Sequence, residues 1–255
     1  MFLPQRVDIT HVMDSAREHE LQIDFDSALL RAREIEKQHP EHKFICFNGD
    51  TARLAVRKAQ CHWGWDWGPF LMCAGIWKPI RLEVYAARIA DIRTEVELAT
   101  DYNSALIRAS AEVEGADQHK LRAKFNIVCA GKTITTAEAD VSSSGAVNVD
   151  LKIDSPELWM PSGYGKQTLY NVEVSLVAED ELVHADVRRI GLRKVELIQE
   201  PDSRGKSFYF RINGVDIFCG GSCWIPADSL LTNITPERYR AWIELMVPAN
   251  QKMIR

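Results

Sequence analysis

The sequence lacks an apolar run long enough to cross a membrane anywhere in its 255 residues. A membrane-spanning helix needs about 20 consecutive, mainly apolar residues, so no membrane partner is expected. Residues 1–14 also lack the basic segment followed by an apolar segment that marks a secretory leader. If Met1 is the true start, the pattern therefore predicts a cytoplasmic protein.

The sequence also has little excess charge and no C-x-x-C pair of cysteines. Its 31 Lys and Arg residues are scattered among 36 Asp and Glu residues, which gives a formal net charge of −5. Because no basic patch stands out, nucleic acid is not an expected partner. No C-x-x-C pair occurs, so free thiols are predicted, with no metal site and no cofactor. The six cysteines are Cys46, Cys61, Cys73, Cys129, Cys219 and Cys223.

Most of the chain shows the two-residue alternation of apolar and polar side chains that is typical of β-strands. Residues 19–25 place three apolar side chains on one face, which predicts a strand. Ser27 can cap a short helix over residues 28–38, which stops before Pro40. Alternation returns over residues 76–85 and predicts another strand.

From about residue 89 the alternation becomes regular, and polar or glycine-containing stretches interrupt it. Six or seven short strands in about 110 residues are typical of an antiparallel sandwich of immunoglobulin type. A barrel is the alternative arrangement, and the sandwich is preferred. The apolar alternation runs over residues 92–98, 105–113, 121–129, 147–153, 170–176 and 183–187.

Around residue 200 the pattern changes from sandwich-like strands to a strand, a loop and a helix. Asn213-Gly214 between two apolar runs is a strong signal for a two-residue hairpin. Thr235 can cap a helix with Pro236 at its first position, and Pro248 should end or kink that helix early. A further apolar segment begins at Met253. This order is typical of the beginning of a (β/α) barrel.

The densest chemical signal is aromatic. Trp63, Trp65, Trp67 and Trp77 lie close together around Asp66. Exposed indoles stack on the C–H faces of sugars, and a carboxylate accepts hydrogen bonds from paired hydroxyls. The alternative is an aromatic core cluster in which Asp66 only caps a turn. Local composition alone leaves both interpretations open.

Five segments, taken in chain order, carry a resemblance that extends over nearly the whole chain. They are NGDTARLAVRK (48–58), HWGWDWGP with its flanks (57–83), PELWMPSGYG (156–165), RIGLRKVEL (189–197) and FYFRINGVDIFCGGSCWIPADSL (208–230). In this order they resemble the β-mannosidases of glycoside hydrolase family two. One aromatic repeat alone would be a weak signal, whereas five segments in register are specific.

The resemblance implies a mainly β fold built from parts of three domains. Residues 1–88 would be the C-terminal part of a galactose-binding-like jelly-roll domain. Residues 89–197 would form an immunoglobulin-like β-sandwich. Residues 198–255 would be the first βα unit of a truncated (β/α)8 catalytic barrel.

The resemblance also implies the site residues. In the family, the loop that corresponds to Trp65, Asp66 and Trp67 binds the terminal sugar, so these three are the expected substrate contacts. Cys223 stands where the family has an asparagine that contacts substrate, and this departure puts sugar binding at that position in doubt. Trp224 and Asp228 match the family pattern, although packing roles fit them equally well.

The implied function is hydrolysis of terminal β-D-mannose from the non-reducing ends of glycans, with retention. Such enzymes use two glutamates, and the acid/base follows an asparagine. The chain contains no Asn-Glu pair, so no catalytic residue is assigned and we expect the chain alone to be inactive. A β-mannoside glycan is the expected partner. The alternative is a non-catalytic carbohydrate-binding fragment.

Overall fold

The computed structural model of the protein describes residues 4–14, 16–46, 49–64, 68–116 and 120–255. The chain divides into two compact units. The first combines Met1–Arg81 with Trp224–Trp242, and the second combines Leu82–Cys223 with Ile243–Arg255.

The regular elements are mostly strands, so the prediction of a mainly β protein is confirmed. In chain order they are α1 (Ala28–Gln38), β1 (Arg88–Leu98), β2 (Ser104–Glu114), β3 (Leu121–Cys129), β4 (Lys132–Asp140), β5 (Ala146–Asp154), β6 (Tyr170–Ala178), β7 (Glu181–Ile190), β8 (Val195–Ile198), β9 (Pro201–Asp202), β10 (Gly205–Lys206), β11 (Tyr209–Ile212), β12 (Val215–Ile217), β13 (Gly221–Ser222), α2 (Pro236–Glu244) and β14 (Met253–Ile254).

The second unit is built around two antiparallel sheets that share one core. One sheet has the order β1-β2-β5 and the other has the order β4-β3-β6-β7. In β2, β3 and β6 alternate side chains point into the space between the sheets, because successive residues of a strand face opposite sides. The largest fully buried core side chains include Phe125, Ile107, Ile127, Leu151 and Leu176. All six predicted alternating runs lie in strands of this sandwich.

Strand β4 is one element that the apolar pattern did not predict. It is rich in Thr and Ala, it lies at the edge of its sheet, and its Ile134 is 45% exposed. Its position follows from the turn before it, where Ala130 and Gly131 have φ of 48° and 77°. These angles are those of a type I′ turn, which returns the chain directly alongside β3.

One buried arginine ties the segment before β1 to the sandwich. Arg88 Nη1 lies 2.5 Å from a carboxylate oxygen of Glu83, and its Nε lies 2.7 Å from Glu114. The Tyr85 hydroxyl donates to the same Glu114 oxygen at 2.7 Å, and the guanidinium lies 4.9 Å from the centre of the Tyr85 ring. The bond to Glu114 is the largest cause that raises the pKa of Arg88, so the group stays charged.

The hairpin predicted at Asn213-Gly214 is confirmed. Ile212 pairs with Val215, and the two turn residues have φ of 49° and 78°. Strand β11 also pairs with β8, so β8, β11 and β12 form a three-stranded sheet.

Strands β13 and β14 pair in parallel, with Gly221 opposite Met253 and Ser222 opposite Ile254. Thr235 caps α2, since its Oγ1 accepts the Arg238 N–H at 3.4 Å. The helix ends at Glu244, before Pro248, as predicted. Two residues per strand do not define a barrel, so the barrel assignment stays a prediction.

The predicted helix is confirmed in the first unit, whereas two predicted strands are contradicted. Helix α1 covers residues 28–38, and the Ser27 hydroxyl accepts the Leu30 N–H at 3.3 Å. Residues 19–25 and 76–85 form no strand. A strand exists only when another segment pairs with its backbone. No segment in the described ranges pairs with either of these two, and their apolar side chains are largely exposed.

Candidate functional site

The three principal predicted contacts, Trp65, Asp66 and Trp67, lie outside the described residues, so their roles stay predictions. The structure describes the two ends of the segment that carries them. Trp63 and Phe70 form an antiparallel bridge, and their rings meet edge to face with centroids 5.9 Å apart at 80°. The bridge therefore brings the backbone before and after these three residues side by side.

Trp63 anchors this bridge in a small core. Its side chain is 1% exposed and packs in a cluster with Ala32 of α1 and Ala52. For Trp63 the core alternative considered from composition is thus correct. Trp77 differs, because it is 55% exposed and the Lys78 ammonium lies 4.6 Å from its ring centre.

A glycine and a capped turn support Trp63 from the other side. A Cβ on Gly49 would lie 2.9 Å from the Trp63 carbonyl oxygen, and Gly49 has φ of +80°, so a larger residue does not fit. Next to it, Asp50 accepts the Ala52 N–H at 3.0 Å and the Arg33 Nη2 at 2.6 Å. The bond to Arg33 is the largest cause that lowers the pKa of Asp50, which keeps the cap ionised.

His62, which directly precedes Trp63, is a buried titratable group that the sequence pattern did not single out. It ends a 3₁₀ helix, Gln60–His62, and is 7% exposed. Neither ring nitrogen has a hydrogen-bond partner within the described parts of the chain. Burial, and secondarily the charge of Lys58, lowers the pKa of His62. Its position next to an aromatic run was the only available signal, and that signal does not distinguish a buried from an exposed histidine.

The fourth predicted contact, Cys223, carries an exposed free thiol. It directly follows β13, at the carboxyl end of the parallel pair with β14. Ser222, just before it, donates from Oγ to Gln251 Oε1 at 2.9 Å and accepts the Arg255 N–H at 3.1 Å. The role of Cys223 as a substrate contact stays a prediction.

Trp224 and Asp228 have local structural partners. The Trp224 ring lies 6.0 Å from that of Tyr239 and 5.9 Å from that of Trp242. Asp228 accepts the Leu230 N–H at 2.8 Å, as a turn-capping carboxylate does. These contacts give packing and capping roles to the two residues.

Two further kinds of feature, a metal site and a membrane-spanning helix, are not found among the described residues. Within them, no group of three or more His, Cys, Asp or Glu side chains could hold a metal ion. No helix among those described has the length and apolar character needed to cross a bilayer.

Two family models match the chain. One, described as glycosyl hydrolase 2 galactose-binding domain-like, matches residues 1–78. The other, described as glycosyl hydrolases family 2, matches residues 87–193. Among similar proteins, Beta-mannosidase B of Emericella nidulans is 59% identical over 256 residues, and Beta-mannosidase B of Aspergillus fumigatus is 56% identical over 255 residues. Each match covers 100% of this chain, which spans 30% of the relative's length.

Solved structures agree with these matches. The crystal structure of a beta-D-mannosidase from Dictyoglomus thermophilum superposes with a TM-score of 0.79 at 33% identity, over 88% of this chain and 28% of that one. A beta-glucuronidase from Parabacteroides merdae superposes with a TM-score of 0.56 at 16% identity, over 67% of this chain and 21% of that one. The second likeness speaks to the fold alone.

Proposed function

Because the chain belongs to glycosyl hydrolase family 2, we propose that it supplies the non-catalytic, sugar-contacting part of a β-mannosidase. The resemblance first seen in the aromatic segment is thereby confirmed. The reaction proposed for the whole enzyme is removal of terminal β-D-mannose from the non-reducing ends of glycans with retention. The observation that carries the proposal is that similarity to proteins named Beta-mannosidase B extends over the entire chain.

In this proposal the terminal mannose contacts Trp65, Asp66 and Trp67. The indoles would stack on the sugar, and the carboxylate would accept hydrogen bonds from two hydroxyls. The anchored bridge at Trp63 supports the assignment, because a site works best when it rests on a rigid base. Cys223 is proposed as a weaker contact, since a thiol is a poor hydrogen-bonding substitute for an amide.

The catalytic carboxylates would come from elsewhere than these 255 residues. Retaining glycosidases need a general acid and a nucleophile, and the chain contains no Asn-Glu pair. The domain limits proposed are 1–88, 89–197 and 198–255, with the last range beginning a (β/α)8 barrel. The parallel pairing of β13 with β14, on either side of α2 in the chain, supports that barrel assignment.

Calorimetric titration with β-1,4-mannobiose tests the proposal on the purified chain. We expect binding to exceed that of cellobiose, which differs in configuration at C2 of each sugar, and we expect no turnover of an aryl β-mannoside. Asp66→Ala should abolish the binding, whereas Asp140→Ala at the end of edge strand β4 serves as the matched control. Equal binding of both disaccharides, or turnover that a single carboxylate substitution in the chain removes, would contradict the proposal.

The contribution of the Asp66 carboxylate to kcat/KM can be measured in a longer relative, at the position equivalent to Asp66. Two charge-assisted hydrogen bonds contribute roughly 1.5–3 kcal/mol each. Substitution by alanine should therefore lower kcat/KM at least about 100-fold, at about 1.4 kcal/mol per factor of ten. If the melting temperature falls while kcat/KM is unchanged, Asp66 is a turn cap instead.

A further inference from the structure

The segment PELWMPSGYG (156–165) carries part of the family resemblance, and the proposed sugar chemistry leaves it without a role. It lies in the loop between β5 and β6 of the sandwich. The Met160 N–H donates to the Lys166 carbonyl at 2.8 Å, and Gln167 Nε2 donates to two carbonyls of the loop at 2.7 and 3.0 Å. The tip of the loop, residues 162–164, therefore has a fixed base.

The tip contacts the chain shortly before each of the two parallel strands β13 and β14. The Tyr164 hydroxyl accepts the Phe218 N–H at 3.3 Å. The Lys252 ammonium lies 5.9 Å from the centre of the Tyr164 ring, within the reach of a cation–π contact, and it also donates to Asn250 Oδ1 at 2.6 Å. Gly163 lies so close that a Cβ there would overlap this ammonium. One tyrosine thus contacts the chain at the amino end of both strands.

The β13–β14 pair needs support from outside, because each strand has only two residues. Even an isolated two-stranded hairpin is marginally stable at best in water. The Lys252 N–H donates to the Gly220 carbonyl at 2.8 Å, and this bond begins the pairing. The Arg255 N–H donates to the Ser222 carbonyl at 3.1 Å. Cys223, the proposed weaker sugar contact, directly follows Ser222, so the position of its thiol depends on the pair.

We propose that Tyr164 is a positioning residue, which holds the β13–β14 pair, and with it Cys223, in place from the sandwich. The hydroxyl fixes the chain before β13, and the ring fixes the chain before β14, so the two contacts have separable consequences. The effect on sugar binding rests on the proposed function, whereas the effect on the pair does not.

Amide hydrogen exchange, followed by NMR on the full chain, tests this role. Tyr164→Phe removes only the hydroxyl, so exchange of the Phe218 amide should rise about two- to tenfold, as for the loss of one hydrogen bond. Tyr164→Leu also removes the ring, so the amides of Lys252 and Arg255 should exchange at least about twofold faster as well. Tyr85→Phe is the matched control, because it removes one hydroxyl bond elsewhere in the same unit, and it should leave all three amides unchanged.

Gly163→Ala tests the same contact from the backbone of the loop. Its Cβ would displace the Lys252 ammonium from the ring, whereas a Cβ on Gly131 would meet no described atom within 4 Å. The two glycines have similar φ, +83° and +77°, so Gly131→Ala is the matched control for backbone strain. Only Gly163→Ala should speed exchange of the Lys252 amide.

Two results of these exchange measurements would overturn the proposal. In Tyr164→Leu, faster exchange confined to the Phe218 amide would leave the tyrosine with a purely local structural role. Equal exchange of the Lys252 amide in the two glycine variants would show that the tip of the loop does not hold the pair.

Calorimetric titration with β-1,4-mannobiose separates this inference from the proposed function. If Tyr164 acts through Cys223, Tyr164→Leu should weaken binding about two- to fivefold in the native background and not in a Cys223→Ala background. An equal loss in both backgrounds would contradict the positioning of Cys223. If the amides respond as expected while the disaccharide does not bind the native chain, the proposed function fails and the positioning of the pair by Tyr164 stands.

Discussion

Asn213 offers a direct test of how the β11–β12 hairpin is held to the rest of its unit. The residue is buried at 9% exposure and sits in the left-handed region, with φ of 49°. Its Nδ2 donates to the Trp159 carbonyl at 3.0 Å, and its Oδ1 accepts the Lys194 N–H at 2.8 Å. One side chain therefore joins three separate stretches of chain.

Asn213→Ala should destabilise the protein by about 2–5 kcal/mol. Two part-buried hydrogen bonds would be lost, at about 0.5–1.5 kcal/mol each. Alanine in the left-handed region adds about 1–2 kcal/mol. Asn213→Gly loses the same bonds without this backbone strain, so it should be about 1 kcal/mol less harmful.

Urea denaturation and hydrogen exchange at the Lys194 amide provide the assay. In both variants the Lys194 amide should lose protection, because its acceptor is gone, and the alanine variant should have the lower urea midpoint. A loss of less than about 1 kcal/mol in the alanine variant, or a glycine variant that is the less stable of the two, would contradict the expected role of Asn213.

Three further outcomes are expected. Arg88→Met should lower the free energy of unfolding by about 1–3 kcal/mol, because it breaks charge-assisted bonds to two glutamates; a loss below 0.5 kcal/mol, on the order of an exposed ion pair, would contradict this. Gly221→Ala should abolish the β13–β14 pairing, since its Cβ would come within 1.9 Å of a backbone oxygen, whereas Gly220→Ala meets only a movable Phe ring; equal exchange at the Arg255 amide in the two variants would count against it. Native-state hydrogen exchange should be much slower over residues 89–197 than over 200–255, because only the first range contains a two-sheet core; equal protection would refute this.

The likeness to a known family could be inferred from the sequence, but the burial of Trp63 and His62 next to the predicted contacts could not. The pattern around Trp65, Asp66 and Trp67 predicts them as substrate contacts, and this assignment stays a prediction. That Trp63 belongs to a core depends on segments such as α1 that are distant in sequence. An aromatic run has the same composition whether its rings face a core or a sugar.

Features whose cause is local could be predicted from the amino-acid sequence. Ser27 caps α1 because its hydroxyl reaches an N–H three residues ahead. Asn213-Gly214 turns the chain because these two residues accept positive φ. The buried strands of the sandwich alternate because one face of each meets the core.

Where a segment finds a backbone partner depends on the three-dimensional fold. Strand β4 has a weak apolar pattern and still forms, since a tight turn brings it alongside β3. Residues 19–25 have a clear pattern and form no strand, because no described segment pairs with them. Side-chain alternation shows which face of a segment could be buried, whereas a strand also requires hydrogen bonds to a neighbour elsewhere in the chain.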